Sequence, residues 1–241
     1  MAIDSDKNNY TILVSGDSIS RGVVYDEAKR KYALLEDSYV GIVRGLLKGA
    51  VYNIAHFGNT VTKGLSKISG EVLKRKPDIV LLEFGGNDCD FNWAEVALNP
   101  EGEHRPHTDY LRFKELLTRE IAALQRTGVS PVLMTLPPID AEKYLEWISG
   151  GVLAARENIL KWLGSVTKLY WWQERYNAAI VCIAEETGAK IIDIRGAFLS
   201  RPDFQTLLCA DGIHPNAAGH RVIAEGILAY IKPRCPFLLK P

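Results

Sequence analysis

Four short stretches of this sequence carry residues that, taken together, could perform nucleophilic chemistry. "TILVSGDSISRG" ends an apolar run in Gly16-Asp17-Ser18, "NIAHFGNTVTKG" carries Gly58, "LLEFGGNDC" carries Asn87, and "LLCADGIHPNAAGHRV" carries Asp211 and His214. A serine hydroxyl is a weak nucleophile until a neighbouring base takes its proton. His214 is the right type of residue for that base, and Asp211, from the same loop, for orienting and stabilising its imidazole. Ser…Asp…His is one of the known triad orders. Acyl transfer also needs donors ~3 Å from the carbonyl oxygen that becomes negative. The backbone N–H groups of Ser18 and Gly58 and the side-chain amide of Asn87 could supply them. Each stretch also has an ordinary reading: a βα turn, a loop, or turn chemistry around "DGIHPN". Their complementary roles carry the signal.

The elements that must position these residues are legible as alternating strands and helices. Five apolar runs read as buried strands: Thr11–Ser15, Val51–Ala55, Asp78–Phe84, Pro131–Leu136 and Lys190–Ile194. Helical spacing lies between most of them. Tyr110, Phe113, Leu117, Ile121 and Leu124 share one face, as do Tyr176, Ile180, Ile183 and Thr187, with Gly188 as C-cap. A last helix starts at Asn216, an N-cap, and carries Ile223, Ile227, Tyr230 and Ile231. This alternation predicts an α/β fold, with a five-stranded parallel sheet covered on both faces. In the order 2-1-3-4-5, the first strand lies between the second and third. Ser18 then sits between Gly58 and Asn87 on the edge where open sheets bind ligands.

The 241 residues are 47% hydrophobic, with 29 Lys+Arg against 29 Asp+Glu. We read one domain over 1–241, with a core that needs no staples. Balanced charge leaves no electrostatic footprint for nucleic acid. The runs Lys29-Arg30-Lys31 and Lys74-Arg75-Lys76 read as solvated helix faces. No apolar run approaches the ~20 residues of a membrane span. The polar start "MAIDSDKNNY" shows no signal sequence, so the expected location is cytoplasmic. Cys89, Cys182, Cys209 and Cys235 form no C-x-x-C pair. Cys182 is expected on an apolar helix face as a core thiol, and Cys89 as an inert one.

The four stretches resemble the blocks of the SGNH hydrolases, the GDSL-type esterases and lipases: "GDSI", Gly58 in "HFGNT", "GGND" and "DGIH", in the family's order. Ile19 stands where the family name has Leu. The resemblance implies a three-layer α/β/α, flavodoxin-like fold with no cofactor and no metal. It also implies Ser18 as nucleophile, His214 as base, Asp211 as its orienter, and an oxyanion hole of Ser18, Gly58 and Asn87. Family members cleave acyl esters of lipids and sugars as well as thioesters, so the resemblance does not choose a substrate.

Two segments exceed what crossovers need, at 90–109 and 140–172, and all five tryptophans fall in them. Trp93, Trp147, Trp171 and Trp172 either line a substrate pocket or pack a satellite core, and Trp162 is read as helix packing. Asp17 is expected to fix the turn before Ser18 by bonding backbone N–H groups, and Asp88 to cap a loop. His56 either reaches the site or packs its own loop. His220 reads as structural or exposed. His104, His107 and Asp109 could suggest metal ligands, but read as a polar loop at the pocket rim. The expected partner is a small-molecule ester, a small soluble one or an acetylated sugar. A lysophospholipase or thioesterase is the alternative within the family. A flavodoxin-like nucleotide or flavin binding module is the alternative outside it, though the sequence has no phosphate-binding glycine loop.

Overall fold

The computed structural model describes residues 5–241; Met1 to Asp4, the start of the polar N-terminal stretch, lie outside the described residues. The strands are β1 (Tyr10–Gly16), β2 (Val23–Asp26), β3 (Lys31–Leu34), β4 (Gly49–Asn53), β5 (Ile79–Glu83), β6 (Ser130–Met134) and β7 (Lys190–Ile192). The helices are α1 (Ser18–Arg21), α2 (Tyr39–Leu46), α3 (Val61–Leu65), α4 (Ile68–Arg75), α5 (Trp93–Leu98), α6 (Tyr110–Arg126), α7 (Ala141–Ile148), α8 (Leu153–Leu163), α9 (Thr167–Thr187), α10 (Ile194–Leu199) and α11 (Ala217–Arg234).

Five strands form a parallel sheet in the order β4-β1-β5-β6-β7. Counting the strands of this sheet alone, that is 2-1-3-4-5. Alternate residues of each strand enter opposite cores, as the two-residue period of a strand requires. Ile12, Val14, Ile79, Leu81, Val132 and Met134 face α2, α10 and α11. Leu13, Val80, Leu82 and Leu133 face α3, α4, α6 and α9. The result is three layers, α/β/α. On α6 the spaced residues Phe113, Leu117, Ile121 and Leu124 are all buried, and Asp109 caps the helix by accepting from the N–H of Leu111 at 2.9 Å.

The second sheet strand runs two residues earlier than its apolar content suggests, because its register is set by Tyr10 opposite Gly49. A hairpin that no pattern in the sequence marks also forms. β2 and β3 pair antiparallel outside the main sheet, with Tyr25 opposite Tyr32. Lys29-Arg30-Lys31, expected on a helix face, forms its turn and the start of β3; Lys29 N–H caps back onto Asp26 Oδ1 at 3.0 Å. Cys182 is exposed rather than in the core, because α9 turns Ala179, Ile180, Ile183 and Ala184 inward instead.

The two long segments build a third apolar cluster. Phe91, Trp93, Val96, Ile139, Tyr144, Leu145, Ile159, Leu163 and Leu169 bring α5, α7, α8 and the start of α9 together beside the C-terminal edge of the sheet. Trp162 packs there, edge-on to Phe91 at 4.9 Å between centroids.

Candidate active site

Parallel pairing puts the ends of β1, β4 and β5 side by side, with Gly16 in register with Glu83 and Val14 with Asn53. The loops that follow therefore open on one edge. Ser18 is the first residue of α1, and Asp17 caps that short helix by accepting from the Ile19 N–H at 2.9 Å. Gly16 has to be glycine: a Cβ there would come within 2.7 Å of the Glu83 carbonyl oxygen and the Ser20 hydroxyl. That close approach fixes where Ser18 emerges.

The C-terminal loop brings Asp211 and His214 to Ser18. His214 Nε2 lies 2.8 Å from Ser18 Oγ, and His214 Nδ1 lies 2.6 Å from Asp211 Oδ2. All three residues are buried. Asp211 Oδ1 accepts the N–H groups of Ile213 at 3.1 Å and His214 at 3.0 Å. Burial pushes the Asp211 carboxyl up, but the hydrogen bonds and charge of His214, with these backbone donors, hold it below the usual carboxylate range. The loop is anchored by Asn216, whose side chain accepts from Ala218 and Gly219 N–H at the start of α11.

Three candidate donors surround Ser18. Among the described residues no acceptor reaches the backbone N–H of Ser18 or of Gly58, and both residues line the same cavity. Gly58 adopts φ +71°, a left-handed conformation that glycine takes without strain, with open space on its Cβ side. The Asn87 side chain is differently disposed. Its amide donates to Asp17 Oδ2 and to the Asn59 carbonyl, both at 3.1 Å.

Below Ser18 lies a buried acidic pair. Glu83 Oε2 accepts from Ser20 Oγ at 2.8 Å and from Asp17 N–H at 3.4 Å. Ser20 in turn lies 2.6 Å from the Tyr39 hydroxyl. Burial and the neighbouring Asp17 push the Glu83 carboxyl well above the usual range. Burial also raises Asp17, against the Ile19 N–H and its other hydrogen bonds. Glu83 is fully buried. It was not singled out in the sequence, although it is the one acid within the apolar run "IVLLEF".

The cavity beside Ser18 has a volume of about 300 Å³. Trp93, Trp147 and Trp172 line it, so the tryptophan-rich segments form both a satellite core and a cavity wall. Trp171 does not. It is 47% exposed, under the cations of Lys168 and Arg175, because its neighbour Trp172 takes the inward position on α9. His56 is also outside the cavity. It is exposed, and its ring nitrogen lies 3.3 Å from the Phe57 carbonyl; Phe57 takes the place over His214.

Asp88 accepts the Val61 N–H at 2.9 Å, at the start of α3, and burial pushes its pKa up to about 6. His107 and His104 bond separate carbonyls, of Asn87 and Asn99. His220 is buried under Tyr39, and burial lowers its pKa to about 4. Cys89 is buried, and its thiol is pushed well up by that burial.

The hairpin supplies residues that the sequence did not flag. Tyr32 donates its O–H to Asp211 Oδ2 at 3.1 Å, and its ring lies 5.2 Å from that of His214. Tyr25 packs edge-on to Trp147 at 4.6 Å, tying the hairpin to α7.

The model of the GDSL-like lipase/acylhydrolase family matches residues 14–222. Among curated proteins, an acetylxylan esterase of Geobacillus stearothermophilus is 27% identical over 232 residues, covering 91% of this chain and 93% of that one. The GDSL esterase/lipase CPRD49 of Arabidopsis thaliana is 26% identical over 157 residues, 65% of this chain; the match spans just over half, 55%, of that protein's length. Among solved structures, a lipase/acylhydrolase from Enterococcus faecalis shares the fold at TM-score 0.67 and 24% identity, covering 96% of this chain and 98% of that one.

Proposed function

This chain belongs to the GDSL-like lipase/acylhydrolase family, and from that premise we propose that it is a serine ester hydrolase, one catalytic domain working through an acyl-enzyme. The observation that carries the reading is the unbroken line from Asp211 through His214 to Ser18, at 2.6 and 2.8 Å, beside two cavity N–H groups without acceptors among the described residues. Ser18 Oγ attacks the ester carbonyl while His214 Nε2 takes its proton. Asp211 stabilises the imidazolium that forms. The carbonyl oxygen, now negative, accepts from the N–H groups of Ser18 and Gly58. Asn87 joins as a third donor. To reach the oxyanion, its amide gives up the hydrogen bond to the Asn59 carbonyl. His214 then gives its proton to the departing alcohol oxygen. Water, activated by the same histidine, releases the acid and restores Ser18.

A small soluble ester, with an acetylated sugar favoured, is the proposed substrate. A cavity of about 300 Å³ suits it better than a long acyl chain. The relative named as an acetylxylan esterase, matched over nearly its whole length, supports the same choice. No helix of the described residues is long and apolar enough to cross a membrane.

The test is hydrolysis of p-nitrophenyl acetate by the wild type and by Ser18→Ala, with fluorophosphonate labelling. The expected loss in kcat is ~10⁴-fold or more, with label on Ser18 alone. Equal rates would refute the reading.

A further inference from the structure

The cavity wall holds a group that acyl transfer itself does not use. Asp90 follows Asn87 on the loop after β5. Its Oδ1 accepts the Tyr144 hydroxyl at 2.6 Å and the Trp93 indole N–H at 2.7 Å. These two donors anchor Oδ1. Oδ2 accepts from no side chain among the described residues, and the one other donor to the carboxyl is the backbone N–H of Phe91. Nor is it sealed from solvent: the sealed, unpartnered side-chain polar atoms among the described residues are Glu83 Oε1 and His220 Nε2. Oδ2 therefore keeps some exposure, and Asp90 lines the cavity.

The surrounding walls are apolar rings, chiefly Phe91, Trp93, Tyr144 and Trp172. Gln173, also at the wall, is turned to the Pro137 carbonyl and to Arg195. Burial raises the Asp90 carboxyl, and the hydrogen bonds from Tyr144, Trp93 and the Phe91 N–H, with His107 nearby, oppose that rise. A carboxyl oxygen in such surroundings is costly to leave unpaired. Aromatic faces around one acceptor suit a ring or short chain that carries a hydroxyl. A saturated alkyl group of the same size would displace water from Oδ2 and give nothing back.

We infer that Asp90 Oδ2 is a specificity-determining acceptor for a hydroxyl on the part of the ester that enters this cavity. The inference rests on the serine hydrolase reading above. The hydroxyl can belong to the alcohol half, as in a sugar acetate, or to the acyl half, as in a hydroxyacyl ester. The chemistry that Asp90 reads is the same.

Two matched substrate pairs test it. One is an acetylated methyl xyloside against cyclohexyl acetate. The other is p-nitrophenyl hydroxybutyrate against p-nitrophenyl butyrate. The wild type is expected to favour the hydroxylated member of one pair by roughly 10-fold or more in kcat/KM. Asp90→Asn keeps an oxygen for Tyr144 and Trp93 but turns the other acceptor into an amide donor. The hydroxyl can still accept from that amide but loses the carboxyl acceptor, so the ratio is expected to fall about threefold or more, and the pair affected identifies the source of the hydroxyl. A wild-type ratio near unity in both pairs overturns the inference. So does an unchanged ratio in a folded Asp90→Asn. If that variant does not fold, the wild-type ratios decide alone. Failure of the parent reading looks different: Ser18→Ala would still cleave all four esters.

Discussion

Replacing Tyr32 by Phe removes one oxygen atom and leaves the ring in place. That oxygen donates to Asp211 Oδ2 at 3.1 Å, the same carboxylate oxygen that His214 Nδ1 approaches at 2.6 Å. The ring contacts with Phe57 at 5.3 Å and Trp147 at 6.1 Å need no hydroxyl. Asp211 would keep its donors from His214 Nδ1 and from the N–H groups of Ile213 and His214, so it stays ionised. A hydrogen bond to a charged group contributes about 1.5–3 kcal/mol. Tyr32 is half-buried, and water can replace part of what is lost. We therefore expect a stability loss of ~0.5–1.5 kcal/mol. The assay is urea unfolding of the wild type and Tyr32→Phe, each also in an Asp211→Ala background. There the loss should fall below ~0.3 kcal/mol, because the acceptor is gone. An equal loss in both backgrounds would show that Tyr32 does not act through Asp211.

Glu83→Gln should change how stability depends on pH. Burial lifts the Glu83 carboxyl well above its free value of 4.5, so the folded chain keeps a proton that the unfolded chain releases. That stability is present below the free value and is lost as pH rises through the folded one. In urea unfolding, the variant should therefore gain on the wild type as pH increases; a difference independent of pH would contradict this. Asn216→Ala removes the acceptor for two N–H groups at the start of α11. It should cost about 1–2 kcal/mol in denaturant unfolding, and a loss under ~0.3 kcal/mol would mean that the cap is replaced by solvent.

The parts of this molecule legible in its sequence are those set by short-range pattern. Val80 and Leu82 face one core, and Ile79 and Leu81 the other. A run buried on both sides in this way is what marks a parallel strand. Ser18, Gly58 and Asn87 could be placed because each follows such a run closely, and the strand order then fixed their neighbours. The hairpin was not legible. Its strands have four residues each, its turn has no glycine, and its basic residues imitate a helix surface. Tyr32 meets Asp211 across 179 residues, and Asp90 meets Tyr144 across 54. No periodicity encodes such pairs. Trp171 and Trp172 are adjacent and identical in type, so the sequence could not say which of them α9 turns to the cavity. Glu83 did leave a signal, since an acid inside a fully buried strand needs a partner.

The same division separates what the site does from what it cleaves. Ser18 and Asn87 follow the ends of the central strands β1 and β5, where a one-residue slip would turn every core side chain to the wrong face. Their geometry is therefore as rigid as the sheet. The cavity wall is made by α5, α7, α9 and the hairpin, which meet one another through ring contacts and a few hydrogen bonds such as Tyr144 to Asp90. Ring contacts hold position less strictly than strand register, and a side chain on α7 can change without disturbing β1 or β5. Substitutions at Asp90, Tyr144 or Trp147 should then alter the ratio of rates between esters far more than substitutions in the sheet do. A sheet substitution that misplaces Ser18 lowers every rate together.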